Sequence, residues 1–217
     1  MEESSLKVVM LGDSGVGKTA IVKRFCEGAF DYYPNTIGVD NFQKSINVAG
    51  KTKNLVIWDP SGQETYRSIV PSYCRNANIF IIVFKVAVQP NAKEEDNSSR
   101  DSFYSVESWF DEEMVQNEDG IICICGNMID LPNRQVSEQE GKDLVEKLSQ
   151  KLSEKTSRSI VQYFETSALT GEGVEELFQE AALLFCKSNI PNKAEILPKP
   201  QKLEKKVQDD ETSCICC

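Results

Sequence analysis

Leu6-Lys-Val-Val-Met-Leu11 runs directly into Gly12-Asp-Ser-Gly-Val-Gly-Lys18-Thr19, and the reading of this stretch decides the fold. An apolar strand feeds a glycine-rich loop that opens a helix. Three glycines let the backbone curl so that successive N–H groups, among them those of Ser14, Gly15, Val16 and Gly17, converge on an anion. The helix that follows adds its positive N-terminal end. At the spacing G-x-x-x-x-G-K-T, Lys18 reaches terminal phosphates, and the Thr19 hydroxyl supplies the hard oxygen that a phosphate-bound Mg²⁺ takes as a ligand. The stretch therefore predicts a nucleoside triphosphate site without naming the base or the reaction.

Working outward, Ile21, Val22, Phe25 and Cys26 recur at helical spacing until Gly28. The segment from Phe30 to Gly38, with Pro34, Asn35 and Thr36, is rich in turn formers and predicts an exposed loop. Strands around Phe42–Val48 and Asn54–Trp58 flank Ala49-Gly50-Lys51 as a hairpin. The second strand ends in Trp58-Asp59-Pro60-Ser61-Gly62-Gln63-Glu64, at the strand edge where ligands sit in open α/β sheets. Ile79–Val86 predicts a buried strand. The polar stretch Gln89–Arg100 then makes a connection of about a dozen residues where four to six are usual, expected to be a solvated insertion.

Phe103, Val106, Phe110 and Met114 mark the next helix, and Ile121–Cys125 the next strand, which turns at Gly126-Asn127-Met128-Ile129-Asp130. Ser137 and Glu140 form a capping box for a helix that fades near Thr156. A short strand at Ile160–Phe164 leads to Glu165-Thr-Ser167-Ala168-Leu169. A last helix sets Val174, Leu177, Phe178, Ala181 and Phe185 on one face. Alternating strands and helices predict a mostly parallel sheet covered on both faces.

With 217 residues and 40% hydrophobic content, there is room for one such domain and a tail. The net charge of −10 argues against a nucleic-acid surface. No leader and no spanning segment are expected from the sequence. The eight cysteines belong to a reducing compartment, and Cys123 and Cys125 are expected as small core hydrophobes, because a chain without His offers them no completing metal ligands.

Four polar loops at strand ends now stand out: Gly12–Thr19, the Thr36 region, Asp59–Gln63, and Asn127–Asp130 with Ser167-Ala168. Together they resemble the Ras-like small GTPases, the Rab branch above all, through Thr36-Ile-Gly-Val-Asp40, Trp58-Asp59 with Gly62-Gln63-Glu64, and Glu165-Thr-Ser-Ala168. The resemblance covers about residues 6–186 and returns at the last cysteines. It implies a three-layer P-loop NTPase fold, the small G domain, over residues 1–188. Its sheet would be mostly parallel and six-stranded, with one antiparallel edge strand, helices on both faces and an insertion at about 88–100.

The resemblance also implies GTP or GDP with Mg²⁺ as ligands, held by Ser14–Ala20, Phe30, Thr36, Gly62, Asn127, Asp130 and Ser167–Leu169. Thr19, Thr36 and Asp59 would face the metal. Thr36 would engage only while a γ-phosphate orders its loop. Gln63 would orient the attacking water, with Lys18 on the phosphates. Asp130 accepts the ring N–H and exocyclic amine of guanine, a pair adenine does not offer.

Effectors would dock on Thr36–Asp40 and Asp59–Tyr73. An exchange factor, a GTPase-activating protein and an escort or GDI-type chaperone would act on a monomeric switch in vesicle trafficking. Residues 189–217 form a Pro-, Lys- and acid-rich flexible tail ending Cys214-Ile-Cys216-Cys217. In the resemblance, Cys216 and Cys217 carry prenyl groups that hold the protein on the cytoplasmic face of an endomembrane; Cys214 could instead open a C-a-a-X box. Asp209, Asp210 and Glu211 beside that anchor leave the lipids to do the holding.

The pattern is broken in places. Met128 and Leu169 stand where the family has lysines, which predicts guanine binding weakened by roughly one to three decades. Pro60 restricts Asp59 to extended angles and removes an N–H, so slow intrinsic hydrolysis is expected. Asn41 replaces a usual Phe, altering the effector face that Trp58 and Tyr73 otherwise share. These departures motivate a second reading, a degenerate GTPase fold that binds nucleotide weakly and serves as a tethered interaction module. A small-molecule kinase would have no need of Asp59–Gln63 or Asn127–Asp130.

Overall fold

In the computed structural model the described residues are 5–31, 36, 38–63, 68–93, 95–114, 120–153 and 160–188, with the side chains of 112–114 and 160 excepted. The chain runs β1 Ser5–Leu11, α1 Lys18–Glu27, β2 Val39–Val48, β3 Lys51–Pro60, α2 Val70–Cys74, β4 Ile79–Lys85 and β5 Ala87–Val88. It continues α3 Ser98–Met114, β6 Ile121–Asn127, β7 Asn133–Arg134, α4 Glu138–Ser153, β8 Ile160–Thr166 and α5 Val174–Lys187. Six strands lie in the order β2-β3-β1-β4-β6-β8, with β2 antiparallel to β3 and the other neighbours parallel. This is the mostly parallel sheet with one antiparallel edge strand that the sequence predicts.

Strand alternation builds two cores. Val8 and Met10 on β1, Ile81 and Val83 on β4, and Cys123 and Cys125 on β6 face α1 and α5. Val9, Leu11, Phe80, Ile82, Phe84, Ile122 and Ile124 face the other way, toward α2, α3 and α4. Period-two strands buried on both faces give this arrangement directly. Cys123 and Cys125 are fully buried, and burial pushes the Cys125 thiol up to about 12, so both act as apolar filler. Phe25 stacks on Phe178 at 4.0 Å, joining α1 to α5.

Local signals hold where their chemistry is local. Gly28 caps α1 at φ 69°, its N–H donating to Arg24 O. Ser137 and Glu140 exchange the reciprocal capping-box bonds: Ser137 N–H donates to Glu140 Oε2 at 2.8 Å, and Glu140 N–H to Ser137 Oγ at 3.3 Å. That backbone bond, with Arg100, holds the Glu140 carboxyl down at about 2. The β2–β3 hairpin turns on Ala49 and Gly50, both at positive φ, in the twist that a two-residue hairpin favours.

One expectation shifts, and another falls outside the described residues: α4 is described over Glu138–Ser153, and Thr156, near which it is expected to fade, lies beyond them. The connection expected at Gln89–Arg100 is shorter, because α3 begins at Ser98, where Asp96 Oδ1 accepts the Ser98 N–H at 2.9 Å. It is also anchored rather than merely solvated. Ala87 and Val88 pair with Arg134 and Asn133, and Gln135 Nε2 donates to Asp96 O at 2.6 Å. The Met114 side chain and the tail 189–217, with Cys214, Cys216 and Cys217, lie outside the described residues. Among the described residues no helix is long and apolar enough to cross a membrane.

Candidate functional site

The parallel strands β1, β3, β4, β6 and β8 all end on one edge, and their loops enclose a cavity of about 590 Å³. Its wall includes Ser14, Gly15, Gly17, Lys18, Thr19, Ala20, Phe30, Thr36, Gly62, Asn127, Asp130, Ala168 and Leu169, so the structure brings together most of the residues singled out from the sequence. Val16 and Ser167 are buried just behind it. Gln63 is not part of the wall; its N–H donates to Ser61 Oγ at 3.3 Å, and residues 64–67 lie outside the described set.

At the floor, Gly12, Gly15 and Gly17 all hold positive φ, which sets the loop's curl. Lys18 is 7% exposed, and its Nζ donates to the carbonyls of Gly12 at 2.8 Å and Asp13 at 2.9 Å. Burial lowers its pKa to about 8 against the pull of Asp59 and Asp13. An ammonium held this way has a further donor to give. The loop is steadied from behind by Trp109 of α3, whose Nε1 donates to Asp13 Oδ1 at 2.7 Å. A Cβ on Gly62 would stand 2.4 Å from Lys18 Nζ, so the backbone there closes directly over the lysine.

One end of the cavity gathers hard oxygens. Thr19 Oγ1 lies 2.9 Å from Thr36 Oγ1 and donates to Asp59 Oδ2 at 2.5 Å. Asp59 is fully buried, and its Oδ1 has no hydrogen-bond partner among the described residues. An orphaned carboxylate oxygen beside two hydroxyls is a donor set that fits Mg²⁺. Burial pushes the Asp59 carboxyl up to about 6, opposed by the Thr19 hydrogen bond and by Lys18. The protonated acid offers the cation no charge. Mg²⁺ affinity is therefore expected to fall about tenfold per pH unit below pH 6, a slope that Asp59→Asn removes. Calorimetric titration from pH 7.5 to 5 checks this; equal slopes in the two proteins would contradict it. Asp59 lies extended opposite Asp40, as a residue before proline favours, and Pro60 falls past the last β1–β3 pair, Val9 with Trp58.

At the opposite end, Asp130 is oriented by Ser167, whose Oγ donates to Oδ1 at 2.6 Å. Asn127 is a tether. Its Nδ2 donates to Val16 O at 2.9 Å, while its Oδ1 accepts from Thr166 Oγ1 at 3.1 Å and Ala168 N at 3.3 Å. One buried amide thus locks the glycine loop to both loops of the far end. Arg24, which sequence reasoning missed, reaches from α1 to the Ala168 and Leu169 carbonyls. Its partners are backbone atoms, so no side-chain pairing signals it. Leu169 is 50% exposed and Met128 holds φ 69°, a left-handed conformation unusual outside glycine.

The neighbouring face carries Trp58 and Tyr73, with ring centroids 5.6 Å apart, and Asn41 lies opposite Trp58 in the hairpin.

Residues 7–186 match the Ras family. The chain is 38% identical to Ras-related protein Rab-21 of Mus musculus and of Rattus norvegicus over 192 residues, covering 86% of this chain and 73% of each relative. Rab-21 of Homo sapiens matches with the same identity over 72% of its length.

Proposed function

Since the chain belongs to the Rab family of Ras-like small GTPases, which bind GTP and GDP with Mg²⁺ and hydrolyse GTP as switches in membrane trafficking, we infer how its own residues run that cycle. The observation that carries the reading is the pairing of the two cavity ends: Thr19, Thr36 and Asp59 at one, Asp130 held by Ser167 at the other. The bound cation would neutralise phosphate charge. Lys18 and the loop amides of Ser14–Ala20 hold the phosphates, and Phe30, Asn127 and Ala168–Leu169 line the base end. Asp130 selects guanine by its bidentate geometry.

Thr36 follows Phe30 in the chain, and among the described residues its hydroxyl contact to Thr19 ties it to the P-loop helix. A ligand that adds a further tie orders the Thr36 segment, and loss of the γ-phosphate releases it. Gln63, one residue past Gly62, orients water for attack.

Rab proteins work with effectors, exchange factors, GTPase-activating proteins and GDI-type partners. For this chain, Thr36–Asp40 and the Asp59–Tyr73 segment with the Trp58–Tyr73 pair are the effector face, modified by Asn41. Rab kinship supports association with endomembranes. Prenyl groups on Cys216 and Cys217 would hold it there; with both changed to Ser, fractionation should find the protein in the soluble pool, and persistence on membranes would contradict that anchor.

Gln63→Leu tests the cycle. Single-turnover GTP hydrolysis should fall about tenfold or more with GTP affinity within threefold of wild type. Unchanged hydrolysis would favour the second reading, a weakly binding interaction module, for which the apolar Met128 and exposed Leu169 speak.

A further inference from the structure

The segment between β5 and α3 does more than lengthen the chain. Gln89, its first residue, lines the nucleotide cavity, as do Met128 and Leu131. That placement follows from the backbone. Val86 N–H donates to Asn127 O at 2.9 Å, and Val86 O accepts from Gln135 N at 2.8 Å and Val136 N at 3.1 Å. Val88 then pairs with Asn133, just past the Met128–Leu131 turn, so the next residue emerges beside that turn. Pro90 keeps Gln89 extended, and the Gln89 carbonyl closes a turn by accepting Ala92 N–H at 2.9 Å.

The side chain itself is exposed and has no hydrogen-bond partner among the described residues. It is an amide, with two donors and an acceptor. Met128 and Leu131 offer the ligand only apolar side chains. A polar group of the nucleotide facing these side chains would otherwise lose hydrogen bonds made in water.

We propose that the Gln89 amide hydrogen-bonds the bound guanine nucleotide from beside the Met128–Leu131 turn and slows its release, making the segment after β5 part of the nucleotide site. The proposal rests on the reading of this cavity as the guanine-nucleotide site. One such bond is worth about a three- to tenfold change in release rate.

The test is the release of fluorescently labelled GDP from the full chain with Mg²⁺. Gln89→Ala and Gln89→Leu should both release it three- to tenfold faster, the leucine because it keeps the bulk and loses the amide. Asn91→Ala, in the same segment and off the wall, should release at the wild-type rate. Ligand-free melting temperatures should match across all variants. In a Met128→Lys background, where the wall has gained a donor, Gln89→Ala should accelerate release less than it does in wild type.

Wild-type release from either Gln89 variant overturns the proposal, as does equal acceleration by Asn91→Ala or an undiminished effect beside Lys at 128. If wild type holds GDP and the Gln89 variants hold it equally, the inference alone fails. If wild type holds no GDP, the site reading fails and the inference goes with it.

Discussion

Lys18→Met should cost at least about three decades in GDP affinity while moving the stability of the ligand-free protein by no more than about 1 kcal/mol. The asymmetry comes from where the ammonium sits. It is buried, and burial lowers its pKa to about 8. With ligand, each charge-assisted bond to a phosphate is worth about 1.5–3 kcal/mol, and methionine replaces none of them. Without ligand, the change removes the two bonds to the Gly12 and Asp13 carbonyls but also relieves a desolvated cation, and the two effects oppose.

The same pKa gives a pH signature. A lysine whose folded pKa lies below 10.5 loses its proton in the native state first, so ligand-free stability rises between pH 8 and 10.5. Nucleotide affinity should fall over that range, since the neutral amine no longer pairs with phosphate. Fluorescent-GDP titration and melting curves at pH 7, 8.5 and 10 read both trends. A variant that keeps wild-type affinity would contradict the role given to Lys18.

Gly17→Ala should be nearly as damaging by a different route, lowering stability by about 2–4 kcal/mol and nucleotide affinity by two decades or more. Gly17 caps α1 at φ 95°, where any side chain is strained. The added Cβ would stand 2.3 Å from Asn127 Nδ2. A terminal amide can usually swing aside, but this one is pinned by Val16, Thr166 and Ala168, and Asn127 is 1% exposed. Moving it breaks the tie between the glycine loop and the base end together with two bonds at the base end. The effect on binding should therefore exceed the effect of strain at the loop alone, which melting curves and GDP titration would separate. Wild-type GDP affinity in Gly17→Ala would show that Asn127 is no tether.

What could be seen in the sequence follows the range of the interactions. The apolar run of β1, the glycine-rich loop, the Gly28 stop, the Ser137–Glu140 box and the apolar stripe of α5 are contacts within a few residues, and each is where the pattern puts it. The gathering of Lys18, Thr19, Thr36, Asp59 and Asp130 was legible because a doubly wound sheet delivers its loops to one edge. The rest depends on distant partners. Trp109 meets Asp13 across 96 positions, and nothing in the α3 pattern distinguishes it from the core residues around it. The ladder formed by Ala87–Val88 and Asn133–Arg134 has two residues a side, too short for any period, yet it carries Gln89 to the cavity. Asn127 was recognised as a ligand residue, but its work as a tether required knowing that Val16, Thr166 and Ala168 come together.

The central claim is a guanine-selective site that runs a switch despite Met128 and Leu169. The most direct test is the affinity of the full chain for GTP, GDP and ATP in Mg²⁺, measured in one titration series. GTP and GDP should bind at least a thousandfold more tightly than ATP, with Asp130→Ala collapsing that preference by about two decades. Equal binding of ATP, or guanine nucleotides held only at millimolar levels, would contradict the account and leave a protein that kept the fold and lost the switch.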